Sequence, residues 1–339
     1  MSEQIEVLVT LPFSDEMIQQ LKEVSPNLHI QVVKARKVDE IDPEIWKNIE
    51  VLYTNRVLPS AEQAPNLKWI QFHWAGIDHA VTASIMAKPG LTATTLSGAA
   101  ASQVAEYIVG MMLALGRHLP DLIGLQRLAE WPRERWERFS PRELRDSVVG
   151  IVGYGSIGRQ TARLLQPFGA TVLAAKRDAM HPEDLDYAPE GMGDPQGDMV
   201  HRLYPIQALR SMLKECDFVA ITVPLTPETR GLVGATELAA LKPTAFLIDT
   251  SRGGVLDHSA LIPVLRERKI AGAALDVYPE EPLPADSPLW RLSNAILTPH
   301  ISGNTPYYDE RATALFAENL QRYVSGLPLF NQYDTERGY

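Results

Sequence analysis

The sequence predicts an α/β protein of two domains, one of them built on a doubly wound parallel sheet. Three observations lead there. Short apolar runs alternate with amphipathic helical patterns along most of the chain. In the second part these runs are nearly continuous in apolar residues, as strands covered on both faces should be. Finally, 339 residues with 45% hydrophobic content are enough for two cores.

In the first third the expected strands are Ile5–Thr10, Leu28–Val33, Val51–Thr54, Trp69–Phe72 and Leu91–Thr95. A helix should open at Ser14, whose hydroxyl can cap it, with Asp15 and Glu16 favourable at the positive helix end. A long apolar helix, Gln103 to Leu115, follows and ends near Gly116 and Arg117. Next comes a polar arm, Pro120 to Asp146, carrying Trp131 and Trp136; His118 at the junction receives no role.

A second series of strands is expected at Val148–Val152, Val172–Ala175, Phe218–Val223, Ala245–Asp249, Ala271–Val277 and Ile296–Thr298. Asp178 to Tyr204, rich in Pro, Gly and Asp, is too long for a simple strand connection and reads as an ordered insertion. Thr305 and Pro306 read as the N-cap and first residue of a last helix running towards Ser325, which returns the chain to the first domain. The expected division is therefore 1–98 with 304–339 as the smaller domain and 99–303 as the larger.

Composition limits the function. A net charge of -10 speaks against nucleic acid and anionic membrane surfaces. The opening MSEQIEVLVT lacks the basic and apolar regions of a signal peptide, and the most apolar helical stretch is too short to span a bilayer. One cysteine, Cys216, excludes an internal disulfide and reads as buried filler. No His and Cys set has zinc-site spacing, His73 and His79 being wrongly separated for it, so no metal is expected. These points suggest a cytoplasmic protein.

Gly153-Tyr154-Gly155-Ser156-Ile157-Gly158 directly follows the strand Val148–Val152 and opens a helix. In a Rossmann domain the first glycine makes the tight turn, the second admits a pyrophosphate, and the third lets helix and strand pack closely. The helix start then offers unpaired N–H groups to the anion. A carboxylate at the end of the next strand would receive the ribose diol of NAD. The sequence there is Ala174-Ala175-Lys176-Arg177, so NADP is the preferred cofactor expectation and NAD the second. The alternative is that Lys176 and Arg177 are solvated surface charges.

Three later motifs fall at strand ends: Asp249-Thr250-Ser251-Arg252-Gly253-Gly254, Leu275-Asp276-Val277-Tyr278-Pro279-Glu280-Glu281-Pro282 and Thr298-Pro299-His300-Ile301-Ser302. An arginine, a carboxylate and a histidine suit 2-oxo acid reduction. The arginine binds and polarises the oxygens, the histidine delivers a proton, and the carboxylate orients and stabilises the imidazolium.

With these motifs the chain resembles the D-isomer specific 2-hydroxyacid dehydrogenase family over nearly its whole length. Leu67-Lys68-Trp69-Ile70-Gln71 and Ala75-Gly76-Ile77-Asp78 look like the family's substrate-carboxylate loop, Val104-Ala105-Glu106 like the start of its interdomain helix, and Val223-Pro224-Leu225-Thr226-Pro227-Glu228-Thr229 like the segment beside the adenosine. The resemblance implies a flavodoxin-like substrate domain and places the catalytic arginine on Arg252, the glutamate on Glu281 and the acid/base histidine on His300. It puts the nicotinamide carboxamide on Asp276 and further cofactor contacts on Val223, Pro224, Thr250 and Ser251. It implies substrate contacts at Trp74, Ala75 and Gly76, a site in the cleft between domains, and a twofold dimer through the long helix and the arm. The reaction implied is NAD(P)-dependent interconversion of a small D-2-hydroxy acid and its 2-oxo acid, of the glyoxylate or hydroxypyruvate type.

The sequence departs from that family at three places: the absent acidic residue after Ala175, the 178–204 insertion, and the bulk of Phe72-His73-Trp74, which either shapes substrate choice or packs. With nothing after Tyr339, the larger allosteric phosphoglycerate dehydrogenases are not expected. The rival from another class is a cofactor-sensing, corepressor-like binding protein on the same fold. Formate or phosphite oxidation are the alternatives among enzymes.

Overall fold

The structure, a computed structural model, describes residues 4–334 and 338. The chain forms two compact units, Met1–Ala100 with Thr305–Tyr339, and Ala101–Asn304.

In the first unit β1 (Ile5–Val9), α1 (Asp15–Glu23), β2 (Leu28–Val32), α2 (Pro43–Asn48), β3 (Val51–Thr54), β4 (Trp69–Phe72) and β5 (Thr92–Thr94) follow in order. The five strands pair in parallel in the order β2-β1-β3-β4-β5. That is the flavodoxin-like arrangement. Ser14 caps α1, its hydroxyl accepting from Met17 N at 3.3 Å. Successive strand residues face opposite sides. Val7, Val9, Val51, Tyr53 and Trp69 meet one core, and Leu8, Leu52, Ile70 and Phe72 meet the other.

The second unit begins with α3 (Ala101–Gly116), α4 (Leu119–Leu128) and α5 (Arg135–Arg138). The expected polar arm thus contains two helices; its tryptophans lie open, Trp131 82% and Trp136 77% exposed. There follow β6 (Val148–Val152), α6 (Ser156–Leu165), β7 (Thr171–Lys176), β8 (Arg202–Pro205), α7 (Leu209–Leu213), β9 (Phe218–Ile221), α8 (Ala235–Leu238), β10 (Phe246–Asp249), α9 (His258–Arg266), β11 (Gly272–Leu275) and β12 (Ala295–Leu297). The sheet runs β12-β11-β10-β9-β6-β7-β8, all parallel. The chain reverses direction across the sheet between β6 and β9, where doubly wound folds place their ligands.

Two expectations need correction. The sheet has a seventh strand, β8, inside what reads from sequence as insertion. Its Arg202-Leu203-Tyr204-Pro205 is a short edge strand, where proline's missing donor is tolerated. The last helix, α10 (Tyr308–Val324), returns to the first unit as expected but starts later than Thr305. Thr305 Oγ1 instead accepts from Tyr307 N at 3.3 Å in the turn before the helix. In α10, Phe316 sits 4.7 Å from the Tyr53 ring and 5.4 Å from Trp69, closing one core of the smaller sheet.

Cys216 is buried, and its thiol is pushed up to about 12 by that burial. Among the described residues no single helix is long and apolar enough to cross a membrane; α3 and α4 together reach that length and apolar character but are bent by 60° where they meet. Most of the α3 residues in that pair are buried.

Candidate active site

The glycine-rich turn leaves the end of β6, and the first and third of its glycines each have a separate steric reason. Gly153 has φ +103°, and a Cβ there would come within 2.8 Å of Val223 Cγ1. Gly158 faces the carbonyl of Gly153, and a Cβ would also meet Ile151 Cγ2 at 3.0 Å. At Gly155, by contrast, a Cβ would find no atom within 4 Å. Gly155 is the N-cap of α6, and no side chain caps that helix. Open space therefore lies beside the first turn of α6, where a helix directs its leading N–H groups outward. This fits a dinucleotide pyrophosphate. Val223, expected at the cofactor, lies against the same turn, and Thr222 Oγ1 donates to Gly153 O at 2.8 Å.

The segment after β7 is docked onto this phosphate loop. Tyr154, within the glycine motif, donates to Asp194 Oδ2 at 2.5 Å, and burial raises its phenol well above the ordinary range. Asp194 also accepts from the backbone N–H of Gly197 and Asp198 (both 3.1 Å) and Met199 (3.0 Å). On α6, Arg159 is 2% exposed, stacks over the Tyr154 ring at 4.6 Å and donates to the carbonyls of Asp194 (2.5 Å) and Pro182 (2.6 Å). The Asp184 carboxylate lies 3.0 Å from its Nε, an ion pair out of line with the N–H. Gln160 and Arg163 hold Gly193 from both sides.

At the end of β7, Lys176 donates to His181 O at 2.7 Å and is partly buried, which lowers its ammonium. Arg177 is exposed just beyond the strand. Its charge helps to lower the Glu228 carboxyl, behind the larger effect of a 2.8 Å bond from Thr226.

The arginine, glutamate and histidine expected from the sequence lie in the loops after β10, β11 and β12, and the histidine and glutamate meet. His300 Nδ1 lies 2.8 Å from Glu281 Oε2, with side chains 44% and 37% exposed. Glu281 Oε1 accepts from Tyr278 N at 3.0 Å, which fixes the carboxylate. His300 has φ +54°, a conformation uncommon away from glycine and held here by its loop. Asp276 holds it: Oδ1 accepts from Ile301 N (2.9 Å) and Thr298 Oγ1 (2.6 Å), and Oδ2 from Ser302 N (2.9 Å). Tyr107, on α3, joins the chain through Thr298 Oγ1 at 2.7 Å; burial pushes its phenol up to about 12. Arg252 is half-buried, with Nη1 donating to Ser251 O at 2.8 Å. Thr250 and Ser251 turn their hydroxyls inward, to Ile221 O and Asp249 Oδ1.

In the first unit the loop after β4 resolves the bulky triplet. Phe72 and His73 pack inside, His73 Nδ1 lying 2.8 Å from the Tyr53 hydroxyl, and burial lowers its imidazole. Trp74 is half exposed beside Tyr308, ring centroids 4.8 Å apart; Ala75 is exposed and Gly76 half-buried. Among the described residues no three His, Cys, Asp or Glu side chains gather as a metal site.

The sequence motifs gave no sign of Tyr107, Arg159 or Asp194. Their only trace is an arginine directly after the third glycine and a tyrosine one turn into the α3 pattern.

A doubly wound sheet with a glycine-rich turn opening a helix and an imidazole–carboxylate pair at its strand ends is the arrangement that a nicotinamide-dependent oxidoreductase uses. Residues 109–302 match the model of the D-isomer specific 2-hydroxyacid dehydrogenase NAD-binding domain. The chain is 35% identical to a glyoxylate reductase of Thermofilum pendens over 78% of its own length and 74% of that protein's. It is 30% identical to a D-3-phosphoglycerate dehydrogenase of Methanocaldococcus jannaschii, covering 95% of this chain but only 58% of that one. Among solved structures, a D-isomer specific 2-hydroxyacid dehydrogenase from Xanthobacter autotrophicus Py2, in complex with NADPH and MES, matches over the full length of both chains at TM-score 0.80 and 29% identity. The chain belongs to the D-isomer specific 2-hydroxyacid dehydrogenase family, whose members are NAD(P)-dependent oxidoreductases.

Proposed function

We propose that the chain reduces a small 2-oxo acid, of the glyoxylate or hydroxypyruvate type, to its D-2-hydroxy acid. The observation that carries this reading is the 2.8 Å pair of His300 Nδ1 and Glu281 Oε2. It leaves Nε2 to give a proton to the carbonyl oxygen while Glu281 stabilises the imidazolium. Arg252 binds and polarises the 2-oxo acid through its planar fork. Backbone N–H groups at Ala75 and Gly76 take the substrate carboxylate, with Trp74 beside them. The nicotinamide, when bound, supplies the hydride.

Gly153 to Gly158 hold the pyrophosphate. Asp276, which accepts three hydrogen bonds, retains a lone-pair direction for the carboxamide. Val223, Pro224, Thr250 and Ser251 line the cofactor with their backbone and apolar surface. NADPH is the preferred form, because Lys176 and Arg177 stand where a carboxylate would repel a 2'-phosphate. The unit Ala101–Asn304 acts as the dinucleotide-binding domain and the other as the substrate domain. The protein works in the cytoplasm as a dimer through α3, α4 and the arm, where Leu128, Trp131 and Trp136 are exposed.

A panel of 2-oxo acids assayed with NADPH and NADH tests the reading. Turnover of glyoxylate or hydroxypyruvate is expected. Absence of turnover with every 2-oxo acid would overturn it.

A further inference from the structure

We propose that Asp249 works as a neutral carboxyl that positions the Arg252 loop, and that its ionisation beside Asp276 unlatches that loop. This rests on Arg252 being the substrate anchor, as read above.

Asp249 ends β10 and is 0% exposed. Its Oδ1 accepts from Ser251 N at 3.0 Å and from Ser251 Oγ at 2.6 Å, a side-chain turn that folds the chain back directly after the strand. Arg252 leaves from that turn. The other oxygen, Oδ2, is buried and has no hydrogen-bond partner among the described residues. A carboxylate would leave a charged oxygen there without solvation, whereas a neutral carboxyl leaves only an unpaired hydroxyl, a far smaller cost. Burial accordingly raises this carboxyl to about 7; the Ser251 bonds oppose the shift and the Asp276 charge adds to it.

The surroundings decide what ionisation does. From β11, Asp249 faces Asp276, whose backbone N–H donates to Asp249 O at 3.0 Å. From α3 it faces the Tyr107 phenol, itself raised first by burial and further by Asp276 and Asp249. Tyr278, beyond Asp276, is another phenol raised first by burial. Arg252 lies in its own loop, and the paired β9 residue, Ile221, carries no charge. A second buried negative charge here repels Asp276, which holds the His300 loop, and strains the turn that holds Arg252. One proton thus bears on both catalytic loops.

Asparagine keeps the Oδ1 acceptor and cannot ionise, so Asp249→Asn separates geometry from charge. The test is the pH profile of kcat/KM for glyoxylate reduction with NADPH, wild type against Asp249→Asn and Asp249→Ala. Every other titrating group acts alike in wild type and Asn variant. Ionisation of Asp249 adds an alkaline limb in the wild type alone, about tenfold per pH unit once the group has titrated. The Asn variant is therefore expected to match the wild type near pH 6 and to exceed it at least about tenfold near pH 9. Asp249→Ala, lacking the turn, falls at all pH values, chiefly in KM.

Thermal unfolding gives a readout independent of activity. The unfolded carboxyl ionises near the ordinary value of about 4, and the folded one near 7. Wild-type stability should therefore fall as pH rises through that window, and the Asn variant should not share the fall. If wild type reduces no 2-oxo acid, the functional reading fails and this melt alone judges the carboxyl. If it reduces glyoxylate but the Asn profile and melt superimpose on wild type, the inference about Asp249 is wrong. Should the Asn variant not fold, infrared spectra of the wild type decide. A protonated-carboxyl band at pH 6 that fades towards pH 8 supports the inference, and its absence at pH 6 overturns it.

Discussion

Replacing Arg159 by methionine should detach the segment after β7 from the phosphate helix. The arginine is almost wholly buried and makes two short hydrogen bonds, 2.5 Å to Asp194 O and 2.6 Å to Pro182 O, besides its ion pair with Asp184 and its stack on Tyr154. Methionine fills a similar volume but leaves Pro182 O without a donor, Asp194 O with Gly197 N as its remaining donor, and the Asp184 carboxylate without its cation. Hydrogen bonds to a charged group contribute about 1.5–3 kcal/mol each, and breaking a buried pair from one side costs about 3–5 kcal/mol. The hydrogen bonds and the ion pair belong to one guanidinium and are not additive, and methionine keeps the packing, so the loss is about 3–5 kcal/mol in all. At about 2–4 °C per kcal/mol for a domain of this size, Tm should fall by about 10 °C. The assay pairs a thermal melt with NADPH titration by fluorescence. Affinity should drop with stability, since Tyr154 and Gly155 lose their support together. A Tm within about 2 °C of wild type with unchanged NADPH affinity would refute the view that this network braces the phosphate loop.

Three further outcomes are expected. Glu281→Gln removes the carboxylate that orients the imidazole at 2.8 Å and should lower kcat for reduction by about tenfold or more, as measured in steady-state assays. Lys176→Asp with Arg177→Ala should lower kcat/KM for NADPH by about one to two decades per lost contact while sparing NADH; equal loss with both cofactors would mean that the cations do not read the 2'-phosphate. Tyr107→Phe removes one hydroxyl from the chain to Thr298 and Asp276 and should cost about 1 kcal/mol, close to fivefold in kcat, with little change in cofactor affinity.

The legibility of this protein in its sequence follows the range of its interactions. β6, the glycine turn and the start of α6 are contiguous, so their geometry is encoded within about a dozen residues and could be read directly. Arg252, Glu281 and His300 each lie in a local motif after a strand, which is why sequence alone nominated them. The Asp276 grip on Ile301 and Ser302 was not legible, because a carboxylate's partners are set by how two strand ends align. Tyr107 reaches Thr298 across 191 positions, and Arg159 reaches Asp194 across 35, with no pattern linking them. β8 escaped because an edge strand of four residues, two of them Arg and Pro, shows no apolar run. Thr305-Pro306 carries a helix-start signal, yet the threonine serves a preceding turn; boundaries shift by a turn when caps compete.

Tracing the transferred hydrogen tests the central assignment most directly. Wild type and His300→Ala are each mixed with hydroxypyruvate and NADPH carrying deuterium at both C4 positions, and the product is analysed by mass and chirality. Deuterium at C2 of the D-product is expected from the wild type, with turnover lower by about 10²-fold or more in His300→Ala while NADPH still binds. An unlabelled product, an L-product, or full activity without His300 would contradict the assignment.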